Sequence, residues 1–240
     1  MKLLRYLFIP LVTLIGASPL MAQSADEIIN KSIDAIGGKD LLSRVKSVYF
    51  EGAATAMGND YPTSTTILAG KGFKTQTSVN GMDIINCITD SSGWEINPFA
   101  GQTEATDMSP EMVKKGQSSL HIGGELLNFR DKGFTDSLVG RDSIQKVSVY
   151  KIKLSQPGTD IIYYIDQSTY YILKVDSKVS VEGKEIASSA SFSNYKKTDF
   201  GFVAPATMDV TNMGYDVTIN YTKIEVNKEI DPKIFLKPKQ

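Results

Sequence analysis

From Val45 onward the chain alternates apolar with wet side chains, and short clusters of turn residues interrupt the alternation. Breakers stand at Gly58 to Pro62, Gly70 to Gly72, Asn80 to Gly81 and Ser91 to Gly93. A period of two bounded by such residues marks antiparallel strands joined by hairpins. In "FKTQTSV" one face carries Phe73, Thr75, Thr77 and Val79, and the other Lys74, Gln76 and Ser78, the pattern of a sheet with one covered face. After Phe134 the strands resume in "KVSVYKIKLS", "DIIYYID", "TYYILKVDSKVSV", "EIASSASFSNY", "APATMDVT" and "YDVTINYTKIEV". In the third of these, strict alternation places Tyr171, Leu173, Val175, Val179 and Val181 on one face.

Helices are few. Ser24 and Glu27 have capping-box spacing, and Ile28, Ile29, Ile33 and Ile36 form an apolar stripe that Gly37 and Gly38 end. "KDLLSRV" reads as a turn into the first strand. Ser109 and Pro110 open a second helical segment, "EMVKKGQSSLHIGGELLNF", which Gly116, Gly123 and Gly124 interrupt. The spacing thus predicts roughly ten strands with one good helix and one broken one. A twisted antiparallel sheet of that size curls into a full or partial barrel, and its inner face must be filled, covered or occupied. Two short helices cover only part of it, so the expected fold class is mainly β (α+β), with a concave apolar cavity suited to hydrophobic ligands and a helical lid.

The first residues are set apart from this fold. Lys2 and Arg5 precede an apolar run from Tyr6 to Ala17, and Ser18 to Ala22 resemble a cleavage region, the pattern of a secretory signal peptide. The run is shorter than the ~20 residues of a spanning helix. Cleavage is placed after Ala22, giving residues 1–22 as signal and 23–240 as one domain, since no linker or composition shift divides it. Gln23 stands where a lipidated cysteine would be needed, so the mature protein is expected to be exported and soluble, without a lipid anchor.

The full chain has 26 Lys and Arg against 27 Asp and Glu, and loss of Lys2 and Arg5 takes the net charge from −1 to −3. Without clustered basic residues, nucleic acid is not expected as a partner. Cys87 is the only cysteine, so no internal disulfide can form.

Motifs of known chemistry are missing from the sequence: it has no G-x-S-x-G, H-E-x-x-H, Walker A or dinucleotide fingerprint. His121 is the only histidine, which disfavours zinc. Cys87 and His121 could formally form a nucleophilic pair, but alternation in "MDIINCITD" puts Cys87 on the face of Asp83 and Ile85. Asp90, Asp160, Asp166 and Asp199 flank strand ends, where aspartate commonly binds turn backbone. No catalytic residue, metal or cofactor is expected. An enzyme acting on a small apolar substrate through Tyr, Asp or Glu would instead show strongly perturbed carboxylates in the cavity.

The order of "IGGKDLL", "DSSGWEINPFAG", the helical insertion, "YYIDQSTYYILKV", "FSNYKK", "GFVAPATM" and "NKEIDPKIFLKP" resembles the LolA/LolB-like superfamily of envelope proteins, in particular its outer-membrane lipoprotein-sorting branch. The resemblance implies a half-open β-barrel with helices at its mouth, whose cavity takes the acyl chains of a lipoprotein or other lipid. It also implies a periplasmic carrier or chaperone acting towards the outer membrane, with a membrane-bound donor or acceptor protein. That family's carriers use a basic patch and a barrel arginine for delivery, and none of Arg44, Arg130 and Arg141 is assigned that role. A monomer is expected. The expected cavity lining is Phe73, Val79, Ile84, Trp94, Tyr150, Ile152, Tyr171, Leu173, Phe192, Val217, Ile219 and Tyr221, with Met112, Leu120, Leu126 and Leu127 on the lid. The alternative is a non-enzymatic envelope module with a packed interior that recruits a protein partner.

Overall fold

The computed structural model describes residues 23–181, 183–212 and 215–239; the expected signal segment lies outside them. Helix α1, Ala25–Ala35, begins as its sequence dictates: the Ser24 hydroxyl accepts a hydrogen bond from the Glu27 amide at 3.1 Å. Its stripe of Ile28, Ile29 and Ile33 is buried. The residues expected as a turn form a short helix, α2, Gly38–Ser43. Gly37 and Gly38 both have positive φ, so the chain reverses sharply enough to restart a helix and bury Leu42.

The strands are β1 Ser47–Ala56, β2 Asn59–Leu68, β3 Gly72–Val79, β4 Met82–Thr89, β5 Gly93–Asn97 and β6 Gln102–Asp107, then β7 Thr135–Ile144, β8 Val147–Gln156 and β9 Thr159–Asp166. β10 Ile172–Val181, β11 Lys184–Lys197, β12 Val203–Asn212 and β13 Tyr215–Val226 complete a sheet of thirteen strands. The order is β6-β5-β4-β3-β2-β1-β13-β12-β11-β10-β9-β8-β7, antiparallel throughout. Two meanders are therefore joined where β1 pairs with β13, with Val48 opposite Val226. The sheet is curled but not closed, a half-open barrel with β6 and β7 as its edges. Strand β6 escaped the sequence reading because only Ala105 in it is buried, which leaves no apolar alternation.

The insertion between β6 and β7 is helical only in part: α3 spans Pro110–Gly116 and a 3₁₀ turn spans Gln117–Leu120. Ser109 caps α3 through the Met112 amide. The expected helical continuation to Phe129 is instead a series of turns with positive φ at Gly123, Gly124 and Asn128. These turns still bury Ile122, Leu126 and Phe129.

Both faces of the sheet are covered, by different segments. On the inner face α1 and the insertion pack with Val48, Ile152, Leu154, Ile161, Tyr163 and Ile165 into the main core. On the outer face the chain after β13 folds back over β3 to β5, and Phe235 closes a second cluster with Ile85, Cys87, Trp94 and Ala105. The Phe235 ring lies directly on Gly72, where an added Cβ would come within 2.6 Å of it. The Phe235 carbonyl accepts a hydrogen bond from Trp94 Nε1 at 2.9 Å. Phe235→Ala should cost about 3–5 kcal/mol, the usual range for a buried phenylalanine. Chemical denaturation followed by circular dichroism is the measurement, and Trp94 emission should shift to the red in the folded variant.

Candidate functional site

Strand register decides which side chains share the inner face. On β3 and β4 Phe73 is opposite Ile88, and Thr77 opposite Ile84; on β13 Val217 and Ile219 pair with Val210 and Met208 of β12. Phe192 of β11 is opposite Met208, and Ile219 is also opposite Ala54 of β1. Tyr221 stands opposite Gly52, where β1 and β13 are offset by a bulge. A side chain at Gly52 would strike the Asn220 carbonyl, so the bulge requires glycine there. The Tyr221 ring packs 4.9 Å from Phe50 between centroids, and its hydroxyl meets Thr65 Oγ1 at 3.1 Å. Burial raises the Tyr221 phenol above its ordinary value, and it remains a neutral hydrogen-bonding group.

Covering of this face is uneven. Under α1, Ile152, Leu154 and Ile165 are 0 % exposed. Beyond the helices, Val175, Val179, Ile186, Ala190, Phe192, Met208, Val210, Val217 and Ile219 remain half-buried. In this strip Val175 pairs with Ala190, Ala190 with Val210 and Val210 with Val217, while Val179 and Ile186 pair at one end, set apart by Ser177 and Ser188, whose hydroxyls meet at 2.8 Å. A cleft of about 850 Å³ opens onto this strip between the insertion and β9–β10. Its floor includes Ile161, Ser177, Val179 and Phe134, and its rim includes Glu111, Lys114, Lys115, His121, Glu125 and Lys132. A smaller cavity of about 370 Å³ lies behind His121 and Lys132, lined by Leu42, Val45, Leu120, Ile122 and Leu127 among others. The larger volume falls in the range of about 300–1,000 Å³ usual for small-molecule sites.

The expected lining residues separate into three groups. Phe73, Val79, Ile84, Phe192, Val217, Ile219 and Tyr221 share the inner face. Tyr150 and Ile152 share it too, but they are packed into the core with α1 and line no free space. Trp94 and Tyr171 are corrections, because they face outward. Trp94 is opposite Cys87, lies 5.9 Å from Lys74 Nζ and is sealed under Phe235. The Tyr171 ring stacks on Tyr195 at 4.3 Å, while its neighbour Ile172 joins the inner core. Leu173 is the extra residue of a bulge between Ile172 and Lys174, which reverses the alternation along β10. The expected sharing of one face by Tyr171, Leu173 and Val175 is thereby overturned.

On the insertion, Leu120 and Leu126 are buried and Leu127 is half-buried against the core, whereas Met112 is 42 % exposed. Met112 is thus not an inward lid residue. The insertion is tied down by Arg130, whose two terminal nitrogens both reach Asp26 at 2.7 Å and one of which reaches Asp136 at 2.9 Å. The sequence reading put Val179 on an apolar face of β10 without counting it as lining, and it missed Ile186, Ala190, Met208 and Val210, since β11 and β12 mix small, polar and apolar residues on both faces.

The possible Cys87 and His121 pair does not form. Cys87 is buried on the outer face, its thiol pushed up to about 11 by burial, while His121 is exposed on the inner-face insertion. Asp166 does bind its turn, accepting from the Ser168 amide and the Thr169 hydroxyl. Among the described residues every carboxylate with a resolved shift is lowered. A hydrogen bond from Arg130 lowers Asp26, one from Lys31 lowers Glu27, and those from Ser155 and Lys153 lower Asp160. Lys228 and Lys223 likewise lower Glu225, and burial of Asp176 is outweighed by hydrogen bonds from Ser189, Lys174 and Tyr164. No group of three or more His, Cys, Asp or Glu suited to a metal occurs among the described residues, nor does a helix long and apolar enough to cross a membrane.

Because Trp94 and Cys87 sit behind the sheet, ligand bound on the inner face should leave Trp94 emission unchanged. The native Cys87 thiol should also resist alkylation at pH 8, whether or not amphiphile is present. Steady-state fluorescence and mass spectrometry after iodoacetamide treatment check both outcomes.

No family model matches the sequence, and no curated protein matches it. Solved structures do match. A LolA superfamily protein of Nitrosomonas europaea superposes with a TM-score of 0.57 at 14% identity, covering 90% of this chain and 99% of the other. A domain of Vibrio parahaemolyticus described as an outer membrane lipoprotein-sorting protein gives 0.56 at 15% identity, over 88% of this chain and 95% of the other. A DUF1329 family protein of Desulfovibrio piger gives 0.51 at 10% identity, over 90% and 98%. At these identities the likeness concerns the fold, and it agrees with the half-open curled sheet and its helical insertion: the chain has the LolA-like fold.

Proposed function

We propose that this protein is a carrier that holds acyl chains of a lipoprotein or other lipid on the inner face of its curled sheet. The observation behind this reading is the half-buried apolar surface of β10 to β13, where Val179 pairs with Ile186 and, beyond the hydrogen-bonded Ser177 and Ser188, Val175 pairs with Ala190, Ala190 with Val210 and Val210 with Val217; the cleft of about 850 Å³ meets it at Val179. Strips of this kind leave apolar area in water unless a ligand covers it. Each buried CH₂ is worth about 0.8 kcal/mol, so one long chain supplies on the order of 10 kcal/mol before the costs of association. A carrier must also release its load. The turns from His121 to Phe134 bury Ile122, Leu126 and Phe129, and the ion pairs of Arg130 with Asp26 and Asp136 that also tie them to α1 and β7 contribute little individually.

The signal-like N-terminus and the LolA-like fold support a periplasmic setting and transfer towards the outer membrane, with a membrane-bound donor or acceptor. This reading is one of binding and not of catalysis. The packed half of the inner face under α1 favours a second reading, an interaction module with no ligand.

Delipidated protein should bind a fluorescent long-chain fatty acid at micromolar concentration. Val217→Glu, which sets a charge on the strip, should weaken that binding by at least about tenfold, a loss of roughly 1.4 kcal/mol, with little change in Tm. Absence of binding by the unaltered protein would leave the interaction module as the better reading.

A further inference from the structure

The inner face changes chemistry at the β1–β13 seam. On the β10–β13 side it is apolar, whereas on the β2–β5 side strand register gathers hydrogen-bonding side chains into one row. Thr65 is opposite Thr75, Thr75 opposite Asn86, and Asn86 opposite Glu95, a row of about 14 Å at the usual spacing of about 4.8 Å between strands. It starts at the seam, where the Thr65 hydroxyl meets that of Tyr221, two residues along β13 from Ile219. The insertion stops short of it: Gly116 of α3 lies on Ile88, but Asn86 is exposed, and Thr75 and Glu95 are half-buried. Among the described residues the side chains of Thr75, Asn86 and Glu95 make no hydrogen bond or ion pair within the protein. Lys74 is the only basic residue of β2 to β5, and it lies on the outer face beside Trp94, so no cation on these strands neutralises Glu95. Across the curl, an apolar surface therefore faces a row of hydroxyl and amide groups that ends in an unpaired carboxylate.

We propose that the inner face takes an amphiphile whose headgroup carries a primary amine. Its chains lie on Val175, Ala190, Val210 and Val217, and its head crosses the seam at Tyr221 to the row, where the ammonium donates to the Glu95 carboxylate and the Asn86 amide carbonyl. This rests on the carrier reading and adds the class of headgroup. Charge-assisted hydrogen bonds are roughly twice as strong as neutral ones, and a quaternary ammonium of the same net charge has no N–H to donate. Chain burial supplies the affinity and the row supplies the selection.

The test uses the delipidated mature protein and vesicles carrying pyrene-labelled phosphatidylethanolamine or phosphatidylcholine with identical acyl chains, with transfer read above the protein-free rate. Both lipids are zwitterionic, and only the first has N–H donors. Phosphatidylethanolamine should be extracted about tenfold more readily, the factor that one hydrogen bond to a charged group supplies. Glu95→Gln should bring the two lipids near parity, and Asn86→Ala, which alters no charge, should also reduce the preference. Asp83→Asn removes a carboxylate that accepts from Gln76 on the outer face of β4, and it should leave the preference at its original size. Equal extraction by the unaltered protein, or a preference that survives Glu95→Gln, overturns the headgroup assignment and leaves the carrier reading standing. If neither lipid leaves the vesicles, both fall. Glycerophosphoethanolamine, the same head without chains, should compete only weakly. If it binds alone with an affinity that Glu95→Gln removes, and lipid preference is absent, the row is a free-amine site and the amphiphile assignment is wrong.

Discussion

The pairing of β1 with β13 is the constraint on which the rest of the structure depends. It joins a six-strand meander to a seven-strand one, with Val48 opposite Val226 and Ala54 opposite Ile219. Without it each half would be an open sheet with no opposing wall. With it the thirteen strands twist in one continuous sheet, and accumulated twist brings edges β6 and β7 round towards each other without closing. The bulge at Gly52 is the local adjustment at this seam: only a residue without Cβ lets β13 approach there, and Tyr221 then reaches Thr65 on β2. Such contacts between residues far apart in sequence form late and slowly, so the seam should also govern how fast the fold is completed.

Once the sheet curls, its two faces have different requirements. The outer face would be a wet surface, as the charges along β10 show, except over β3 to β5, where Gly72 leaves a hollow. The chain after β13 fills that hollow with Phe235 and satisfies the indole of Trp94. The inner face has more apolar area than α1, α2 and the insertion can cover. Helix α1 is long enough to seal β8 and β9, and the half-buried strip of β10 to β13 is what remains. The open site is thus set by the shortage of helix relative to sheet, and no special motif is required to make it.

Much of the fold was legible because it is written in local rules. The cap at Ser24, the Ser109 and Pro110 start of α3, and the alternation of Phe73, Thr75, Thr77 and Val79 all appear as their residues require. Strand β6 and the turns after Leu120 were not legible. In β6 the neighbours that bury Ala105 are distant in sequence, and the turns from His121 to Phe134 are held by burial of Ile122, Leu126 and Phe129, not by helix propensity. Of the candidate site, Phe192, Val217 and Ile219 were expected as lining from the sequence, whereas Ile186, Ala190, Met208 and Val210 came to light only through register.

By itself the sequence determined which residues lie on a common face wherever a strand runs without a bulge, because side-chain direction in extended backbone has a period of two. It placed Trp94 in a strand after a hairpin turn and Cys87 on the face of Ile85. Only the tertiary structure decided which face is inside, since alternation is symmetric between the two and the choice depends on which segment packs where. The C-terminal tail covers the side bearing Trp94, and the helices cover the other. It also decided the alternation of β10, where one extra residue at Leu173 reverses every assignment upstream of it. A bulge follows from the curvature of the whole sheet, and curvature is a property of thirteen strands together.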